Sequence, residues 1–452
     1  MPSITHLMEA YQQILEEEVK TIARETGAVK RQRKNGLDAA TFVQSVIFGY
    51  WQDPDLRTSG LAQVAQRREV QVTESAICQR FTAESAEMFW SVMQKLSQVT
   101  MEHEKVDTAL LKQFTAVIVE DSSTVSLPVE LSEVWQGCGG NDREEDAAVK
   151  LFVQWNVLTG EVIGPSLGDG RTSDYNSPLL KKDLPAGSLY LADLGFFSKV
   201  NIKNIIEGLK EEQGHSGKRF VVTRVKAHTA LYTRSGHRIV LRGVLPQQVG
   251  QVRELGVILE KKGNIAMRLI MVKVPEEVAT RRQERIRRSA QRHSHEASEE
   301  ALYLAHWTIV LTNVPRKWAD VTQVLVLLRL RWQIERLFRL WKEDGKIDES
   351  RAKKPYRILC EFYAKLCAMI MQSSLLAYGC WSDPYRSVVK AACALRREVN
   401  RIMVAFYEGG LEKTLLSILR CLRSACQLDR RAAHPSTAQL LAHGLDWQLD
   451  VP

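Results

Sequence analysis

No two cysteines in this 452-residue chain are spaced as Cys-x-x-Cys, although the chain has eight of them: Cys78, Cys138, Cys360, Cys367, Cys380, Cys393, Cys421 and Cys426. Most lie in apolar, helix-like surroundings. That scatter argues against a zinc site or a disulfide framework and for reduced, buried thiols. Also missing is any run of about 18 apolar residues, so no membrane span is expected. The first residues carry Glu9 and Glu16 to Glu18, which interrupt any secretory signal pattern. The expected location is therefore the cytoplasm. Acidic residues are in deficit: 53 Asp and Glu stand against 62 Lys and Arg, a net charge of +9. Such an excess favours a polyanionic partner, through attraction and counterion release.

Hydrophobic residues make up 45% of the chain and charged residues 25%, values typical of a soluble folded protein. The length calls for two or three domains. Residues 1–105 read as helical. Within them, Leu61 to Ala65 and Val72 to Phe81 suggest a helix-turn-helix, with Thr73 as N-cap of the second helix. Arg67, Arg68 and Arg80 are candidate DNA contacts there. Paired short helices also serve as plain packing units.

From about 112 the apolar period changes from 3.6 to 2. Ala116 to Val119 is a β-branched run ending at Glu120-Asp121. Lys150 to Val157 and Glu161 to Ile163 read as the next strands. Ser188 to Ala192 runs into Asp193, an amphipathic helix spans Ile202 to Leu209, and Arg219 to Val225 is a fifth strand. This order predicts a mixed α/β sheet flanked by helices. Residues 228–305 interrupt it with short strands such as Ile239 to Leu241 and Leu269 to Val274. A tract rich in arginine follows, Arg281 to Arg292, in which Arg285 and Arg288 are candidate phosphate contacts. His306 to Thr312 returns to strand character. The remainder to about 430 reads as helical, with a mixed tail from Arg431.

Leu328 to Lys342 contains neither Gly nor Pro and reads as one helix. At about 100° per residue, Arg331, Glu335 and Lys342 share one face. A carboxylate between two cations suits a metal ion beside phosphates; a solvated i,i+4 ion pair fits the same pattern. Asp121 and Asp193 each follow an apolar strand, and strand ends are where an α/β sheet presents site residues. Two such aspartates with a helix glutamate make an all-oxygen donor set for a hard divalent cation. Glu120 competes with Asp121 for this part, and Glu343 competes less strongly with Glu335.

The helix is similar to the Tyr-x2-Arg-x3-Glu-x6-Lys signature of DDE transposases of the insertion-sequence-four family. Arg331, Glu335 and Lys342 match by type and spacing. The tyrosine position is Leu328, so the terminal-phosphate contact made by that tyrosine does not carry over. Asp121 in Glu-Asp-Ser-Ser-Thr resembles the first catalytic aspartate, and Asp193 in Ala-Asp-Leu-Gly-Phe-Phe the second. Trp307 to Pro315, Lys354 to Arg357, Glu361 to Lys365 and the glycine-rich Gln136 to Gly140 also match. The resemblance covers about 110 to 385.

It implies a ribonuclease H-like catalytic core at 106–227 and 306–350, a β-rich insertion at 228–305, a DNA-binding region at 1–105 and a dimerising helical region at 351–452. It also implies DNA cleavage at terminal inverted repeats and strand transfer into target DNA, with two Mg²⁺ or Mn²⁺ ions held by Asp121, Asp193 and Glu335. Arg331, Lys342 and Arg224 are then phosphate contacts, and Trp307 a candidate for stacking on an extruded base. A nuclease of the same fold without strand transfer, and a non-catalytic DNA-binding descendant, are the alternatives.

Overall fold

The computed structural model describes residues 4–29, 37–100, 105–106, 108–137, 147–208, 217–259, 265–292, 295–383 and 385–428. The tail from Arg431 and residues 138–140 of the glycine-rich stretch lie outside them. The chain forms two compact units. The first comprises Met1–Val106, Ser122–Thr172 and Ile334–Ala432; the second is built mainly from Asp107–Asp121 and Ser173–Gln333.

In chain order, helices α1 (Ile4–Gln13), α2 (Val19–Glu25), α3 (Ala39–Gln52), α4 (Thr58–Gln66), α5 (Glu74–Cys78) and α6 (Ala83–Gln98) come first. Strands β1 (Val117–Leu127), β2 (Ala147–Asn156), β3 (Val162–Asp169) and β4 (Leu189–Ala192) follow, then α7 (Lys199–Glu207) and β5 (Phe220–Arg224). Next are β6 (Leu231–Tyr232), β7 (Arg238–Ile239), β8 (Val252–Ile258), β9 (Ala266–Lys273), α8 (Glu276–Arg292), α9 (Glu299–Leu304) and β10 (Trp307–Thr312). The C-terminal part holds α10 (Val321–Leu330), α11 (Trp332–Arg339), α12 (Pro355–Cys380), α13 (Val388–Arg397), α14 (Val399–Glu408) and α15 (Leu411–Ala425).

The first unit is organised around α12, which packs on α3 and α6. By length and composition α12 is apolar enough to cross a membrane, but Glu361, Lys365 and Gln372 interrupt it, and 89% of its most apolar window is buried inside the protein, as in a core helix. Two tryptophans fasten it, Trp51 fully buried and Trp135 half-buried. Trp51 Nε1 donates to Gln372 Oε1 at 3.0 Å, and Trp135 Nε1 to the Tyr363 hydroxyl at 2.9 Å. Each bond satisfies a polar atom that burial would otherwise penalise. The α4–α5 pair sits in this unit, with the Thr73 hydroxyl accepting from Ala76 N as N-cap. The second helix of the pair is only five residues long.

In the second unit the strands follow the order β1-β4-β5-β10-β9-β8-β6-β7. β1, β4 and β5 are parallel, and β10 and the strands beyond it are antiparallel. Residues 228–305 thus extend the sheet through β9 rather than forming a separate body. β8 was not legible because Arg253, Glu254 and Gly256 dilute its apolar alternation. One face is covered by a core of Leu231, Leu259, Leu269, Met271, Leu311 and their neighbours.

Two expectations about element ends need correction. β1 does not stop at Asp121 but continues to Leu127, because Ser122 to Val125 is compatible with an extended backbone. Residues 328–342 are not one uniform α-helix. α10 ends at Leu330, Arg331 is its C-cap, α11 follows, and Leu340–Asp344 is wound as a π-turn. The cysteine reading holds for Cys360, Cys367, Cys380 and Cys426, whereas Cys393 and Cys421 are exposed; all seven described cysteines are free. Burial pushes the Cys380 thiol up to about 11, which keeps it protonated and unreactive.

Candidate active site

The site in the second unit lies where the parallel pairing of β1, β4 and β5 ends. Val117 to Val119 are fully buried, and burial relaxes at Asp121. Glu120 pairs with Ala192 across β1 and β4, so the next step of that register sets Asp121 beside Asp193. Leu191 pairs with Val222 across β4 and β5, and the same continuation brings Arg224 beside Asp193. Two carboxylates and a guanidinium thus stand in a row along one sheet edge. The side chain of Asp193 is 46% exposed. Carboxylate oxygens at adjacent strand positions are the donors that a hard divalent cation takes.

Glu120, the competitor of Asp121, has a different part. It is fully buried, accepts from Ser177 Oγ at 2.5 Å and from the Tyr190 hydroxyl at 2.9 Å. Burial, reinforced by the Glu120 carboxylate, raises the Tyr190 phenol well above its ordinary range, so it stays a proton donor. Asp174 comes close to the turn after Asp193. A Cβ on Gly195 would collide with the Asp174 carboxylate, so glycine is what allows the approach. Sequence reasoning missed Asp174 and Tyr190; Gly195 directly after Asp193-Leu194 was the available sign.

Cations gather at the same edge. Arg331 is buried, its Nε 3.8 Å from Asp193 Oδ1 and its guanidinium 5.3 Å above the Trp332 ring. Arg282, on α8, donates to Trp307 O at 3.1 Å and to Thr308 Oγ1 at 3.0 Å. Burial, with the like charges of Arg224 and Arg285, lowers its ionisation to about 10. Arg285 and Arg288 are exposed, and Arg288 is 3.7 Å from Glu284. Trp307 is only 7% exposed and its Nε1 donates to Pro246 O at 2.8 Å. Tyr303 and His306 pack against its ring. It is a core residue in this arrangement, with no open face for a base.

Glu335 and Lys342 belong to the first unit. Glu335 is half-buried on α11, while Glu343 is 74% exposed and 3.6 Å from Arg339. Lys342 Nζ donates to Thr124 O at 3.1 Å and lies 3.8 Å from Asp348. Leu328, on α10 of the second unit, is 4% exposed and packs in the core. The arginines of the α4–α5 pair have partners inside the first unit. Arg67 bonds Asn400, Arg68 lies 3.9 Å from Glu16 and over the Tyr407 ring, and Arg80 donates to Leu37 O at 2.6 Å. Within neither unit, among the described residues, do three His, Cys, Asp or Glu side chains gather closely enough to hold a metal ion.

The family described as the transposase DDE domain matches residues 112–371. The chain is 26% identical over 383 residues to the transposase for insertion sequence element IS1151 of Clostridium perfringens, covering 79% of this chain and 78% of the relative. It is 24% identical over 388 residues to the transposase for IS231F of Bacillus thuringiensis subsp. israelensis, covering 80% and 78%. Over 151 residues it is 29% identical to a putative transposase for IS186A of Escherichia coli (strain K12), covering 32% and 41%. With a match spanning more than half of its length, the chain belongs to the DDE-domain transposases and is a DNA transposase of the insertion-sequence type.

Proposed function

We propose that Asp121, Asp193 and Glu335 act together as the carboxylates that hold two Mg²⁺ or Mn²⁺ ions, and that the protein cuts DNA at the terminal inverted repeats of its element and joins the freed 3′ ends to target DNA. The observation that carries this reading is the pairing of Glu120 with Ala192 across β1 and β4, the residues directly before Asp121 and Asp193. Bound there, such ions would activate an attacking oxygen and stabilise the leaving one. The protein's own residues have separate tasks. Arg331, Arg224 and Lys342 grip phosphate oxygens and offset the charge that builds up during transfer. Arg331 also orients the Asp193 carboxylate. Glu120 holds β1 against Tyr190 and Ser177, which fixes the backbone that carries Asp121. Arg285 and Arg288 face the flanking DNA.

On the same reading, the parallel strands with α7 form a ribonuclease H-like core, 228–305 is its β-rich insertion, 1–105 binds DNA, and 351–452 mediates dimerisation on the DNA. The working location is the cytoplasm, at the nucleoid. A nuclease that cleaves without joining would use the same acids, and an assay for joined product separates the two.

The test is nicking of a labelled terminal-repeat duplex in Mg²⁺ by Glu335→Gln and Asp121→Asn. Each variant should bind the duplex and fail to nick it. Wild-type nicking by Glu335→Gln would remove Glu335 from the site.

A further inference from the structure

One short segment of the second unit touches the surroundings of both site aspartates. Residues 173–177 lie between β3 and β4 and form a closed turn, in which Asn176 N donates to Ser173 O at 2.9 Å and Ser177 N to Asp174 O at 3.1 Å. The segment has three attachments. Ser177, which is buried, donates through Oγ to Glu120, the residue before Asp121. Asn201 Nδ2, on α7, donates to Tyr175 O at 2.8 Å. The Asp174 carboxylate packs against Gly195, two residues after Asp193.

The third attachment meets a turn that lacks its ordinary brace. Asp193 is the N-cap of the turn Leu194–Phe196, yet its side chain makes no capping bond. An N-cap aspartate usually accepts from the N–H of the second or third residue that follows. Here the carboxylate faces solvent instead, as a ligand for an ion must. Asp174 stands where a brace is needed. A Cβ on Gly195 would collide with Asp174 Oδ2 and lie 3.1 Å from its Cγ. The φ of Gly195 is not positive, so the close approach, and not the backbone conformation, is what asks for glycine there. Asp174 also reaches the pocket behind Asp121. After burial and the charge of Glu120, the charges of Asp121 and Asp174 both help to raise the Tyr190 phenol.

We propose that Asp174 is a positioning residue for Asp193: pressed against Gly195, it seats the turn so that the Asp193 carboxylate stays turned away from its own backbone and available to a cation. The inference rests on the reading of Asp121 and Asp193 as ion-holding acids, and adds a residue that this reading does not use. Residues 173–177 then act as one clamp. Ser177 lies behind Asp121 through Glu120, and Asp174 lies behind Asp193 through Gly195. Arg331 directs the Asp193 carboxylate itself, whereas Asp174 directs the backbone that carries it. Asp174 is not counted as a ligand, since among the described residues no three acidic side chains gather closely enough to hold an ion. With the clamp loosened, Asp193 is free to turn back and cap its own turn, which withdraws a ligand without unfolding the site.

The experiment measures Mn²⁺ binding by the full chain in complex with a pre-cut element-end duplex, from the electron paramagnetic resonance signal of the free ion. Nicking of an uncut duplex is followed in parallel over a range of Mg²⁺ concentrations. Asp174→Ala should raise the Mn²⁺ concentration for half-occupancy by about 10- to 100-fold, the loss usual when a group that orients a metal ligand is removed. The Mg²⁺ concentration for half-maximal nicking should rise in step, while the rate at saturating Mg²⁺ recovers most of the wild-type value. Asp174→Asn keeps the shape against Gly195 and should bind Mn²⁺ like the wild type. Gly195→Ala should reproduce the weakening with Asp174 in place. Added to Asp174→Ala it should cost little more, because the methyl group then has room and groups in contact are not additive. Wild-type Mn²⁺ binding by Asp174→Ala would overturn the inference and leave the ion-holding acids intact. Equal weakening in Asp174→Asn and Asp174→Ala would make Asp174 a ligand and overturn its positioning role. If Asp174→Ala does not fold, Gly195→Ala decides in its place, and wild-type Mn²⁺ binding by that variant overturns the inference. Failure of the wild-type complex to bind Mn²⁺ would overturn both this inference and the reading beneath it.

Discussion

Arg331 Nε stands 3.8 Å from Asp193 Oδ1, with the arginine side chain 9% exposed and the aspartate 46% exposed. The cation is therefore fixed in the protein while the anion faces solvent, and the pair orients a carboxylate rather than closing a surface salt bridge. A guanidinium donates through a rigid planar fork, which an ammonium cannot reproduce.

Arg331→Ala should accordingly lower the single-turnover nicking rate by about 10²- to 10³-fold, the loss usual for one preorganised charge-stabilising donor. Arg331→Lys should recover little of it. Labelled element-end duplex at saturating protein gives the rate, and a rate equal to wild type in Arg331→Ala would show that Arg331 acts only in packing.

Beneath the site, the buried Glu120 carboxylate accepts from the Ser177 and Tyr190 hydroxyls. Tyr190→Phe removes the second of these bonds to a buried charged group, at a cost of about 1–3 kcal/mol. Urea unfolding of the variant should show that loss in the midpoint with an unchanged slope. Undiminished stability would mean that water replaces the hydroxyl, in which case Glu120 does not hold the strand.

Trp307 should behave as a core residue. Trp307→Ala is expected to cost about 3–5 kcal/mol. At a temperature where the variant remains folded, its affinity for the element-end duplex should equal that of the wild type. A stable variant with weakened DNA binding would instead return Trp307 to the interface.

What could be read from the chain alone was local. The β-branched run before Glu120-Asp121 and the apolar run before Asp193 marked adjacent strands, and the spacing of Arg331, Glu335 and Lys342 marked the signature. What could not be read depended on distant partners. Arg67, Arg68 and Arg80 looked free for DNA, yet their neighbours are Asn400, Glu16, Tyr407 and Leu37, far away in sequence. The end of β1 was misjudged because Ser122 to Thr124 suit a turn and a strand equally. The break at Arg331 left no trace, because no Gly or Pro accompanies it. Asn313 gave no sign either, although its side chain bonds Val221 N at 2.7 Å and Arg219 O at 2.8 Å and so fastens β5.

The pairing of β9 with β10 along Trp307 to Thr312 limits how this protein can be shortened. Excising 228–305 would bare one whole side of β10 and leave its amide and carbonyl groups ready to recruit a foreign strand. A trimmed version would need to keep β9 as a splint, or replace it with another edge, to stay monodisperse.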